Sequence, residues 1–476
     1  MEILFVASEV APYSKTGGLG DVAEALPRAL AARGHAVTVV TPLYGSIDPE
    51  ARGLRRLGAS VEVRGEGAGL WLAPGKPAIH FLEHDRYFGH RRGLYGEAGA
   101  DYGDNAQRFA FLARAALALP SALALSPRIV HLNDWQTALA AWMLRREYAD
   151  DPRLTEARSV FTIHNLAYQG VFAKEMLVEI GLPWEVFSWE AMEFHDQLNF
   201  MKAGLTFADA LTTVSPTYAK EILTAEHGYG LDPLLRHRRR DLHGILNGID
   251  VAQWDPARDP HLPARYGPRN LEGKAACKAA LQRELGLPVR AEVPLVGMVG
   301  RLVEQKGIDL VVAALGGILG MDLQLAVLGS GQAEYEGHFR RAAQERPDRV
   351  GVRIGFDEGL AHRIEAGADV FLMPSRYEPC GLNQMYSLRY GTVPVVRAVG
   401  GLEDTVEDFD GLRRGTGFKF RDYDPRALLT ALRRAVEVRR DARAWRGIVE
   451  RGMAMDFSWD ASAARYEELF RAVAEP

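Results

Sequence analysis

Lys15-Thr16-Gly17-Gly18-Leu19-Gly20-Asp21-Val22 is the stretch whose reading decides the fold. It follows the apolar run Ile3–Ala7, which reads as a buried parallel strand. It precedes a helical pattern in which Val22, Ala25, Leu26, Ala29 and Leu30 share one face. A strand, a cationic glycine loop and a helix in that order open an α/β domain. Glycines let backbone approach a ligand closely, the following helix offers N–H groups to an anion, and Lys15 adds a point charge. A tight turn with a solvated lysine is the plainer reading. The loop is neither GxGxxG nor GxxxxGK[ST], so the usual dinucleotide and P-loop readings lose their motif.

Strand-like and helix-like segments alternate through the rest of the chain, as in parallel α/β sheets. The first half predicts strands near Ile3–Ala7, Ala36–Thr41, Ile129–Leu132, Val160–Ile163 and Leu211–Val214, with a helix from Val22 to Ala32. A glycine-rich stretch from about Gly45 to Gly103 predicts extra strands and a mobile loop around His90–Gly103. A second series begins near Ile245, with strands at Leu295–Val299, Leu323–Leu328, Val352–Ile354, Val370–Leu372 and Val393–Val396. Between the two series, Pro256, Pro260, Pro263 and Pro268 mark a linker or an excursion. One doubly wound domain is followed by another.

Composition narrows the function classes. A chain of 476 residues exceeds one ordinary core, and 47% apolar with 25% charged residues is the balance of a folded soluble protein. A net charge of −5 argues against nucleic acid or an anionic membrane as the main partner. Cys277 and Cys380 lie far apart, offering neither a disulfide framework nor a CxxC pair, which suits a reducing cytoplasm. No basic n-region precedes the first strand, so no signal peptide is expected. Arg114 and Pro120 interrupt the apolar tract Phe109–Leu125, which argues against a membrane span.

Unusual polar residues recur just beyond the carboxyl ends of strands: Lys15, His131-Leu132-Asn133-Asp134-Trp135, Thr162-Ile163-His164-Asn165, Asn247-Gly248, Gly300-Arg301 and Pro374 to Gly381. Ligands of open α/β sheets bind there, and two such sheets facing each other would form one deep interdomain cleft. Lys15, Arg301 and Lys306 are cations beside glycine loops, the combination that a diphosphate needs. A surface salt bridge for each is the alternative. Glu378, between an aromatic and Pro379-Cys380-Gly381, is a helix-start carboxylate by position. Asp408-Phe409-Asp410 and Asp422-Tyr423-Asp424 read as solvated turns, and His237-Arg238-Arg239-Arg240 as a solvated face.

With these residues in place, the chain resembles the bacterial glycogen synthases and plant starch synthases over essentially its whole length. The resemblance rests on Lys15–Val22, Asp101–Arg114, His131–Trp135, Thr162–Asn165, Asn199–Gly204, Ser215–Tyr218, Gly228–Leu231, Leu246–Asp250, Gly300–Gly307, Glu378–Gln384 and Gly400–Thr405, in that order. It implies two facing Rossmann-like domains of GT-B type: residues 1–243 on the acceptor side, residues 244–455 on the donor side, and a helix in residues 456–476 crossing back. It implies transfer of glucose from ADP-glucose to the non-reducing end of an α-1,4-glucan, with retention, with no metal or cofactor, and in the cytoplasm.

The resemblance places Lys15 and Gly18 at the donor phosphates and sugar, and Arg301 and Lys306 at the departing diphosphate. Glu378 would bind the glucose, with Cys380, Gly381 and Leu382 turning backbone N–H groups towards donor phosphate and sugar. Asp134 and His164 would sit at the reacting centre or acceptor side, Asn247 near the sugar, and Tyr95 and Asp21, less directly, at the acceptor or in the cleft. Asn383 and Val399 stand where many relatives carry Thr. Another two-domain transferase, a glucan phosphorylase, which would require pyridoxal phosphate, and a non-catalytic glucan-binding or nucleotide-sugar-sensing protein on the same fold are the rival readings.

Overall fold

The computed structural model describes residues 1–97, 99–411 and 414–475. Contacts divide the chain into two compact units. The first comprises Met1–Val214, Ala219–Gly248 and Trp459–Pro476; the second comprises Ser215–Tyr218 and Ile249–Ser458. The divisions thus fall a few residues beyond positions 243 and 455, and four residues inside the first half belong to the second unit.

Among its described residues the first unit carries a nine-stranded sheet in the order Leu242–Gly244, Ala210–Thr213, Arg158–Ile163, Ile129–Asn133, Glu2–Val6, Ala36–Pro42, Ala78–Glu83, Glu66–Leu72, Arg55–Val63. The first seven run parallel, and the last two add an antiparallel margin. Sequence pattern explains the difference. Glu2–Val6 and Ile129–Asn133 are apolar and buried almost throughout, as strands covered on both faces must be, whereas Arg55–Val63 exposes most of its residues at the sheet edge. From Glu2–Val6 the chain first winds to one side, through Ala36–Pro42. It later returns beside Glu2–Val6 at Ile129–Asn133 and winds to the other. The switch point therefore lies between the carboxyl ends of Glu2–Val6 and Ile129–Asn133.

The first helix runs Gly18–Ala32, beginning four residues earlier than its apolar periodicity predicts. Gly17 sits at the N-cap without a side-chain cap, so no capping signal marks the start, and Gly18 and Gly20 form the first turn. The helix buries Val22, Ala25, Leu26 and Leu30 in a core shared with Trp459, Ala463, Tyr466 and Phe470 of the terminal helix Trp459–Ala474. Arg33 ties the two by donating to Glu467 Oε2 and Asp460 Oδ1, both at 2.9 Å. The stretch around His90–Gly103 contains a short antiparallel pair, Gly96–Glu97 with Ala100–Asp101.

The second unit holds a sheet of six described strands, all parallel, in the order Val350–Ile354, Gln324–Gly329, Leu295–Val299, Val370–Met373, Val393–Arg397, Phe418–Phe420. In chain order this is 3-2-1-4-5-6, the Rossmann arrangement, whose switch point lies between Leu295–Val299 and Val370–Met373. The proline-rich stretch after Pro256 is a packed excursion of this unit. Asp259, 1% exposed, accepts from His362 Nδ1 at 2.7 Å and Tyr390 Oη at 2.6 Å. Trp254 stacks between His362 and Tyr386, 3.7 Å from each ring centroid.

Three polar runs read as solvent-facing do expose Asp410, Asp422, Asp424, His237, Arg239 and Arg240, and single residues within them also have structural partners. Asp424 caps the helix Pro425–Arg439, accepting from Arg426 N at 2.8 Å. Asp408 accepts from Lys419 N at 2.7 Å and from Arg434, while Phe409 between the two aspartates is buried. Arg238 satisfies carbonyls at the end of Phe200–Phe207, those of Leu205, Thr206 and Ala208. The five N–H donors of a guanidinium, set in one planar fork, suit several such acceptors at once.

Candidate active site

In the second unit the two loops leaving the switch point are bound to each other. The strand Leu295–Val299 ends in Gly300, at φ 153°, and its loop closes on Gly307, at φ 72°. A Cβ on Gly307 would lie 2.1 Å from the carbonyl oxygen of Pro374, in the loop after Val370–Met373, so only glycine permits this approach. Lys306 Nζ then donates to Glu378 Oε2 at 2.6 Å, and Ser375 Oγ donates to the same oxygen at 3.0 Å. The Glu378 side chain is 6% exposed and that of Lys306 27%, so the carboxylate is sunk while the ammonium reaches solvent. Both of these hydrogen bonds fall on Oε2, which leaves Oε1 as an open acceptor.

Every carbonyl of the Glu378–Gly381 loop is tied down. That of Glu378 accepts from Gly401 N at 3.1 Å and that of Pro379 from Ser215 Oγ at 2.6 Å. Those of Cys380 and Gly381 accept from Gln384 Nε2 at 3.1 and 3.0 Å. Gly400 and Gly401 allow the loop to lie against the next helix, since a Cβ on either would come within 2.0 Å of the carbonyl oxygen of Glu378 or Cys380. Leu382, at the N-cap of Asn383–Arg389, supplies no side-chain cap. Asn383 Nδ2 donates to Val299 O at 2.9 Å and so joins the two strands of the switch point. Arg301 stays exposed, bonded to Gln305 Oε1 at 3.3 Å.

The first unit builds its switch point differently. Lys15 Nζ pairs with Asp21 Oδ1 at 2.7 Å on a partly exposed surface. Beneath it lies Glu9, 3% exposed, a residue that sequence reasoning missed. Glu9 accepts from Thr16 N at 2.5 Å, Thr16 Oγ1 at 2.8 Å and Tyr95 Oη at 2.7 Å, joining the lysine-glycine loop to Tyr95. Its position just beyond the first strand was the available signal. Burial, with Glu9 beside it, holds the Tyr95 phenol far above its usual range, so it remains a neutral donor. Gly17 and Gly18 have negative or extended backbone and open space around an added Cβ, so packing explains neither glycine.

Asp134 follows Ile129–Asn133 with φ 56°, left-handed backbone that aspartate tolerates better than most residues. Its N–H donates to Thr162 O at 3.0 Å and its Oδ1 accepts from His164 N at 2.7 Å. Burial pushes its carboxyl up to about 7, against two backbone hydrogen bonds that favour the charge, with Glu9 adding repulsion. Burial also drives His164 down to about 3, so its imidazole is neutral at physiological pH. Asn133 donates through Nδ2 to Val6 O, turning its amide oxygen to His164 Nε2 at 3.0 Å. The proton therefore sits on Nε2, leaving Nδ1 the basic nitrogen. His131, pushed to about 3, packs against Tyr466 and Phe470 and is structural. Asn247 is buried, with its Oδ1 lacking a partner among the described residues.

The structure thus brings Lys306, Glu378, Cys380, Gly381 and Leu382 together in one unit, with Arg301 on the adjoining loop. It joins Lys15, Asp21 and Tyr95 through Glu9 and the glycine loop, with Asp134 and His164 bonded to each other, in the other unit. No group of acidic, histidine or cysteine side chains suited to a metal ion occurs among the described residues, and no helix is long and apolar enough to cross a membrane.

A family model for the starch synthase catalytic domain matches residues 2–237, and one for glycosyl transferases group 1 matches residues 286–448. The glycogen synthase of Anaeromyxobacter sp. (strain Fw109-5) is 72% identical over the full length of both chains. That of Myxococcus xanthus (strain DK1622) is 52% identical over 99% of each. The catalytic domain of starch synthase IV from Arabidopsis thaliana, solved with ADP and acarbose bound, superposes with a TM-score of 0.90 at 37% identity, over 100% of this chain and 99% of that one. Sucrose-phosphate synthase from Thermosynechococcus elongatus shares the fold, with a TM-score of 0.62 at 20% identity over 99% of this chain. By full-length identity and by its two matched regions, the chain belongs to the glycogen synthase and starch synthase family of glycosyltransferases.

Proposed function

We propose that this enzyme moves glucose from ADP-glucose to the non-reducing end of an α-1,4-glucan, with retention at the anomeric carbon, in the cytoplasm. The carrying observation is the Lys306–Glu378 pair at the second unit's switch point, a cation and a buried carboxylate 2.6 Å apart where such sheets bind ligands. The names of the relatives and the ADP and acarbose of the starch synthase structure support the substrates. Arg301 and Lys306 neutralise the diphosphate as charge develops on it, and Lys15 adds a third cation. The open space above Gly17 and Gly18 admits the donor, and Asn247 Oδ1 accepts from a sugar hydroxyl.

Lys306 and Ser375 both donate to Glu378 Oε2, which stabilises the carboxylate and lowers its nucleophilicity. Glu378 therefore holds glucose hydroxyls through Oε1, and the departing diphosphate takes the proton of the acceptor hydroxyl on the same face of the sugar. The neutral His164 and Asp134 orient the donor glucose and the acceptor. Incorporation of labelled glucose into glycogen from ADP-glucose, compared with UDP-glucose, tests the reaction: transfer from neither sinks it. A trapped glucosyl ester on Glu378 or Asp134 in mass spectrometry would overturn the same-face route in favour of double displacement.

A further inference from the structure

Ser215-Pro216-Thr217-Tyr218 is a four-residue excursion. The chain on either side, to Val214 and from Ala219, belongs to the first unit, while these four residues belong to the second. What holds them is the loop that carries Glu378. Ser215 is fully buried, and its hydroxyl uses both of its capacities: Oγ donates to Pro379 O at 2.6 Å and accepts from Tyr218 N at 3.1 Å. Thr217 engages both oxygens of Asp404, its N–H donating to Oδ2 and its Oγ1 to Oδ1, each at 2.7 Å. Asp404 lies on the short helix Gly400–Thr405, whose two glycines press on the carbonyls of Glu378 and Cys380.

We propose that Ser215, Thr217 and Asp404 are positioning residues that hold the Glu378–Gly381 loop in its sugar-binding form. Pro379 has no N–H and is buried, so its carbonyl is its one polar group, and Ser215 is its partner. Removing the hydroxyl leaves that carbonyl unpaired between the carboxylate of Glu378 and the N–H groups of Cys380 and Gly381. The loop then relaxes at the point where Oε1 must meet the glucose. Small misplacements of such groups reduce turnover steeply. The inference rests on the proposed role of Glu378.

The test measures glucose transfer by Ser215→Ala and Thr217→Val, beside the hydroxyl-keeping variants Ser215→Thr and Thr217→Ser and the unaltered enzyme. Expected are a fall in kcat of about 10-fold to 100-fold in the first pair, an unchanged KM for glucan, largely retained activity in Thr217→Ser, and thermal unfolding midpoints close to that of the parent. Unchanged kcat in both Ser215→Ala and Thr217→Val overturns the proposal, as does a loss that merely follows the fraction of folded protein. An inactive parent enzyme instead overturns the reading of the function itself.

Discussion

Both units place ionisable groups where a sheet reverses its winding, and both pair a lysine with a carboxylate there, but their buried groups are handled differently. In the second unit Lys306 and Glu378 meet directly at 2.6 Å, and charge is balanced by charge. In the first unit Asp134 and His164 lie where burial suppresses charge, the acid raised to about 7 and the imidazole lowered to about 3. Pairing keeps ions ready for an ionic ligand, whereas desolvation keeps groups neutral and able to exchange hydrogen bonds with hydroxyls.

Breaking the paired side should have the largest effect. Glu378→Ala and Lys306→Ala are expected to lower kcat by about 100-fold to 1,000-fold, measured as glucose incorporation. Lys306→Ala should also cost more thermal stability than Glu378→Gln, because it strands a buried carboxylate while the glutamine variant leaves only a lysine able to reach water. Equal melting midpoints would contradict direct pairing. On the desolvated side, Asp134→Asn should remove the limb of the kcat/KM profile near pH 7 and lower turnover by about 10-fold or more. A limb that persists in Asp134→Asn belongs to another group.

That residue also carries a linkage signature. Its folded pKa exceeds the unfolded value of 3.8, so the folded state holds a proton that the unfolded state has lost, and stability falls as pH rises from about 4 to about 7. Asp134→Asn should therefore stabilise the protein more at pH 8 than at pH 5. His131 and His164 act in the opposite sense. Both are near 3 when folded and 6.5 when unfolded, so their contribution is intact above about 6.5 and is lost as pH falls towards about 3. Differential scanning calorimetry across this range separates the two. The smallest effect is expected of Glu9→Gln, which keeps an oxygen acceptor for Thr16 or Tyr95 but removes the charge, and should weaken donor use by about 3-fold to 10-fold. Unaltered donor KM and kcat in that variant would make Glu9 a structural residue only.

Strand exits were the legible part of the sequence, because apolar runs ending in Gly, Asn or Asp mark buried parallel strands without any tertiary knowledge. The Lys306–Glu378 contact spans 72 positions and was legible only as two separate loops at neighbouring strand ends. Glu9 escaped notice because Ser8–Ser14 matches no phosphate-loop pattern, although its place after the first strand obeys the rule that found Asp134. The helix start at Gly18 was hidden by a cap that uses no side chain. Asp424 is exposed as read and caps its helix locally, whereas Asp408 and Arg238 also hold partners distant in sequence, backbone groups and a guanidinium whose positions only the folded chain reveals.

The anchored carbonyls of Glu378, Pro379, Cys380 and Gly381 have a thermodynamic consequence for turnover. Fixing a residue's backbone removes roughly 1–2 kcal/mol of conformational entropy at room temperature. In a loop free to wander, that loss would recur with each donor that binds and would subtract from its affinity. Here it is incurred once, when the chain folds, and successive donors meet a preorganised surface.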